Sequence, residues 1–163
     1  LSSDPKVGEV HPVPLPLVLR LVRFHLVDIV RGQTSPWKLS HIKKANLESS
    51  VLKREGDRVT LSLRGKSRTH AKGKWPVRGM KSAKEEADRG FDAELQGRAV
   101  YDLTKERFLS FELLATGSRW GGTKYNGRGD DLDPAPMGIF FRIAGSGGGE
   151  RVAPSFIWGY RWK

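Results

Sequence analysis

Phe91-Asp92-Ala93-Glu94-Leu95-Gln96-Gly97-Arg98-Ala99-Val100-Tyr101 decides the class of this fold. Apolar or small residues fill positions 91, 93, 95, 97, 99 and 101, and polar ones fill 92, 94, 96 and 98. A period of two sends the two sets to opposite faces of a strand. After Asp102–Glu106 the pattern resumes at Leu109, Phe111, Leu113 and Ala115, which makes the pair a hairpin. Upstream, Asn46–Lys53 runs through Glu55-Gly56-Asp57 into Val59, Leu61 and Leu63, whose neighbours Thr60, Ser62 and Arg64 are polar. Downstream, Gly138–Ala144 and Pro154–Trp162 read as strands separated by Ser146-Gly147-Gly148-Gly149, and the second aligns Phe156, Trp158, Tyr160 and Trp162 on one face.

Leu17–Val30 reads as a further long strand, although Leu17, Val18, Leu21 and Val22 also fit helical spacing. Its β-branched residues and the prolines before it, Pro12, Pro14 and Pro16, favour the strand. Only Ser82–Arg89 looks helical. Residues 1–16 are expected to be a proline-dotted leader or tether, and 17–163 a single β domain. The expectation is an all-β fold, one antiparallel sheet of about six to eight strands curled into a barrel or sandwich. Its core should hold Phe24, Leu61, Leu63, Leu95, Phe111, Leu113, Phe141 and Trp158.

The 163 residues suit one domain, and 37% hydrophobic residues suffice for a core. No apolar run is long enough to cross a membrane as a helix, since Arg20, Arg23, His25 and Asp28 break the richest one. Without cysteine there are no disulfides, thiolate metal sites or cysteine nucleophiles.

The net charge is +11 and is concentrated in the chain. Lys53–Lys84 holds eleven basic residues against Glu55 and Asp57, an excess of nine. A polyanion, such as an anionic polysaccharide, would release counterions on meeting Arg64, Lys66, Arg68, Lys72, Lys74 and Arg78. The plainer alternative is a solvated strand face. No RNA-recognition, zinc-finger or helix-turn-helix signature accompanies the stretch. A second candidate is the glycine-rich segment from Gly117 to Asp131, where Trp120, Tyr125, Arg119 and Arg128 offer stacking faces and polar arms for a sugar. The competing reading has Trp120 packing over the end of the core.

Catalytic and metal signatures fail in turn. His11, His25, His41 and His70 show neither HxH nor HExxH spacing, and no G-x-S-x-G occurs. Asp130, Asp131 and Asp133 lack the closing Glu of a calcium loop. Gly65-Lys66-Ser67 imitates the end of a phosphate loop, but Thr60 stands where the first glycine is required. No cofactor or metal is therefore expected. The alternative to a binding module is a hydrolase at one end of the barrel, with His25 as base, Asp28 or Glu112 as acid or orienting group, and Arg119 holding an anion.

Arg23-Phe24-His25-Leu26-Val27-Asp28 with Arg31-Gly32, and Phe111-Glu112-Leu113 followed by Trp120-Gly121-Gly122 and Asp130-Asp131-Leu132, resemble uncharacterised exported proteins of planctomycete-type bacteria. The resemblance spans about half the chain in short motifs. It implies export, hence a secreted or periplasmic location, and nothing catalytic. A non-enzymatic binding or structural module, engaging an anionic polymer or glycan, is the resulting expectation.

Overall fold

The computed structural model describes residues 4–77, 86–126, 130–145 and 147–151. Its strands are β1 (Val10–Pro12), β2 (Ile42–Glu55), β3 (Arg58–Lys74), β4 (Glu86–Asp102), β5 (Arg107–Gly121) and β6 (Ala135–Arg142). They pair in chain order into one antiparallel sheet of six strands, so the fold is all-β as expected. Tight turns account for two of the five pairings. Gly56 and Asp57 alone join β2 to β3, with Gly56 at φ 59° in the place where a II′ turn takes glycine. The β4–β5 turn is closed by the Asp102 carboxylate, which accepts from the Lys105 amide at 2.9 Å.

Register carries the period-two pattern across the whole sheet. One inward row runs Leu47, Gly65, Leu95, Ala115, Ile139, and the next runs Ser49, Leu63, Gly97, Leu113, Phe141. Gly65, Gly97 and Gly117 sit where any Cβ would run into the backbone of the adjoining strand. Neighbouring strands therefore approach closely at these positions, where only glycine leaves room. Among the described residues β1 and β6 are the two edges and do not pair with each other.

The segment expected as a strand over Leu17–Val30 is instead a helix, α1 (Leu15–Phe24). The prolines that argued for extension are what start it. Pro14 caps it in extended geometry and Pro16 occupies the first turn, where the missing N–H has no intrahelical partner to lose. Val18 and Val22, four apart, are buried against the sheet, and Arg20 faces water. The helix ends at His25, whose amide still reaches the Leu21 carbonyl. The Ser82–Arg89 helix is corrected likewise. Glu86–Arg89 opens β4 opposite Ala71–Lys74, because the alternation that buries Ala87 and Arg89 extends the hairpin; residues 82–85 lie outside the described residues. The predicted strand Pro154–Trp162, with Trp158, also lies outside them.

Of the predicted core, Phe24, Leu61, Leu63, Leu95 and Leu113 are buried, while Phe111 and Phe141 are partly buried against it. Leu26, Val27, Trp37 and Phe91 pack the remaining end. The proline-dotted stretch enters the sheet at Val10, which pairs with Ser50.

Candidate functional site

Between the first turns of α1 and the inward face of the sheet the packing leaves a cavity of about 810 Å³. That is towards the upper end of small-molecule sites, which run to roughly 300–1,000 Å³. Leu17 and Leu21, one helical turn apart, form one wall. Leu61 and Leu63 from β3, Phe111 and Leu113 from β5 and Phe141 from β6 form the other. The described lining residues with polar side chains are His11, Ser49, Tyr101 and Glu106. Ser49 is satisfied, its hydroxyl donating to the His11 carbonyl at 3.3 Å. Its lining mixes exposed and buried side chains: Leu17 is 58% and Phe108 45% exposed, whereas Val18, Leu63 and Leu113 are at most 5% exposed.

His25 sits beside this cavity rather than in a catalytic constellation. Its ring packs edge-on against Phe141 with centroids 6.3 Å apart. Burial, helped by the Arg20 charge, holds its pKa below the ordinary histidine value. Glu112 lies on the outward face of β5 across from Arg142 and Arg98, so the sheet separates it from His25. Asp28 is buried and bound to Arg31 at 2.7 Å. Of the four groups proposed for hydrolysis, His25 and Glu112 are thus separated by the sheet, and Asp28 and Arg119 are committed to Arg31 and Asp131.

What the structure does assemble is a charged knot at the far end of the sheet. Arg31, its side chain 4% exposed, donates to Asp28, to the Gly121 carbonyl at 2.6 Å and to the Asp131 carbonyl. Arg119 pairs with the Asp131 carboxylate and donates to the Asp133 carbonyl at 3.2 Å. Asn126, 2% exposed, donates to the Asp28 carbonyl and accepts from the Thr123 amide and hydroxyl. Beside it Arg89 lies over the Trp37 ring at 4.3 Å and donates to Thr34 and Ser35; burial lowers its pKa to about 10. These are committed, mutually satisfied groups that join the loop after α1 to the end of β5.

The predicted sugar site is divided by the sheet. Arg119 points inward into the knot, and its neighbour Trp120 lies on the outward face. The Trp120 ring covers Gly90, and its N–H donates to Asp88 at 2.6 Å, the carboxylate that His70 also contacts at 2.8 Å. Partial burial pushes the Asp88 carboxyl up, but these two hydrogen bonds and the Lys72 charge bring it below its ordinary value. Tyr125 is exposed, with the Lys124 ammonium 5.3 Å from its ring centroid. Arg128 lies outside the described residues, as does Arg78 of the basic stretch.

The rest of that stretch faces acids. β3 is registered on β4 so that Lys66 meets Glu94 at 2.6 Å, Arg68 meets Asp92 at 3.7 Å, His70 meets Asp88 and Lys72 meets Glu86 at 3.1 Å. Arg64 stands opposite Gln96, and Lys74 opposite Glu86. The acids belong to residues 86–94, beyond the window in which the cations cluster along the chain. Lys66 and Glu94 hold each other's charged forms, raising the amine's pKa and lowering the carboxyl's. No metal-holding group of three or more His, Asp or Glu occurs among the described residues, and none of their helices is long and apolar enough to cross a membrane.

No family model, curated protein or solved structure matches the chain. The cavity was missed in the sequence because α1 was read as a strand. The available signal was the helical spacing of Leu17, Val18, Leu21 and Val22.

Proposed function

We propose that this protein is a non-enzymatic binding module whose ligand is a small apolar molecule held between α1 and the sheet. The carrying observation is the cavity itself, about 810 Å³ and lined mainly by Leu, Val, Pro and Phe side chains. Among the described residues these apolar side chains face one another across the cavity, and a ligand lodged there gains dispersion contacts with both walls. The curled sheet with α1 over its open side would then act as a barrel-like enclosure around that ligand. The resemblance to exported proteins supports a place outside the cytoplasm. A polyanion partner has less support, since cross-strand acids meet Lys66, Arg68 and Lys72.

The test is a titration with anilinonaphthalene sulfonate, whose fluorescence rises in apolar sites. One saturable equivalent per chain, displaced competitively by an unlabelled fatty acid, is expected. Unsaturable binding, or binding unchanged when Leu61→Trp fills the wall in a folded variant, refutes the reading.

A further inference from the structure

We propose that the occupant is a single-chain amphiphile lodged tail-first, its polar head left at the mouth beside Tyr101 and Glu106; this rests on the reading of the cavity as a binding site. The argument is the distribution of polarity along the cavity. Of its ionisable lining residues, Tyr101 and Glu106 lie at the end of β4 and in the β4–β5 turn, where Phe108 is exposed, whereas His11, opposite Ser49 on the edge strand β1, is taken up by Glu9 at 3.2 Å. Further in, the walls are Leu21, Leu47, Leu63, Leu113 and Phe141, and Ser49 is already bonded to the His11 carbonyl. A charged head carried inward would find no partner and lose its hydration, a heavy penalty. A methylene chain meets none.

Shape agrees with polarity. Lining residues extend from Tyr101 to Leu47, whose register partner Gly65 stands opposite Leu95. Six residues of extended strand separate these rows, a depth of about 20 Å. A long thin space of this depth matches one flexible chain better than a compact ring system. Because the head remains in water, the site should select for chain length and barely distinguish a carboxylate from a phosphocholine.

The experiment is calorimetric titration of the intact chain with decanoate, tetradecanoate and octadecanoate below their micellar concentrations. Tetradecanoyl lysophosphatidylcholine, as the other head, and pyrene, as a rigid ring system, complete the set. Affinity should rise about fourfold per added methylene and level off once the chain exceeds the cavity's depth. The change of head should alter it less than about fivefold. Leu21→Trp, which intrudes from the helix wall, should move the plateau to shorter chains with the far-ultraviolet spectrum unchanged. Affinity independent of chain length, pyrene binding as tightly as tetradecanoate, or loss of binding on exchanging the head overturns the tail-first amphiphile while leaving an apolar site. Failure of every probe to bind overturns the cavity reading as well.

Discussion

Replacing Arg31 by Met should be among the costliest single changes in this chain. The guanidinium is 4% exposed and the Asp28 carboxylate 11%, so the substitution leaves a buried anion facing a thioether. The Gly121 carbonyl loses this donor in the same step, while the Asp131 carbonyl keeps its bond from Arg119 at 3.0 Å. Removing one partner of a buried ion pair costs about 3–5 kcal/mol. That is a large share of the roughly 5–15 kcal/mol that holds a domain folded. For a chain of this length it corresponds to a melting temperature lower by about 10 °C. Urea unfolding of the parent, Arg31→Met, Asp28→Asn and the double variant measures it. The double variant should recover much of the loss, because its neutral amide no longer needs the cation. A single-variant loss under about 1 kcal/mol, or strictly additive losses, would refute the claim that these groups form a buried, interdependent pair.

Stability should fall as pH drops through the window just below 6.5. Burial depresses the folded-state pKa of His25, and of His41, below the ordinary histidine value, so there the unfolded chain binds more protons; pH-dependent urea midpoints should flatten in His25→Gln. Gly121→Ala should cost at least about 2 kcal/mol, since φ is 69° and the new Cβ would lie on the Asp88 carbonyl. Gly56→Ala, at φ 59° with nothing near, should cost about 1 kcal/mol in the same denaturation series. Asp92→Asn with Glu94→Gln should uncover Lys66 and Arg68 and raise the salt needed to elute the protein from heparin; unchanged elution would mean that cross-strand pairing does not mask them.

Strand periodicity made most of the sheet legible before any coordinates. Where two residues of turn join strands that bury one face, the pattern admits one pairing, and Val59, Leu61 and Leu63 lie inward as alternation requires. The same logic misread α1, because prolines were weighed as strand-compatible residues rather than by position: before a helix, Pro14 and Pro16 are starters. Charge failed for a different reason. A window along the chain counts Lys66, Arg68 and Lys72 together, whereas the sheet sets Glu94, Asp92 and Glu86 against them, and register is a property of pairs of segments. The candidate sugar residues are split by parity, because Arg119 and Trp120 are adjacent in a strand and must face apart. The buried Asp28–Arg31 pair had no local signal, its other partners lying some ninety to a hundred residues away.

Those separations give this fold two kinetic halves. The sheet can grow hairpin by hairpin, each strand finding the one made just before it, and such nearest-neighbour pairing incurs little loop-closure entropy. The knot that fastens α1's following loop to the end of β5 joins residues 90 to 100 apart, so during synthesis the helix emerges long before the strand to which its loop is fastened. A late-forming fastening contributes little to the folding barrier and much to the unfolding one. Substitutions at Arg31 or Asn126 should therefore leave the refolding limb of a chevron nearly in place and raise the unfolding limb, which makes residence time in the folded state adjustable without altering how the sheet is found.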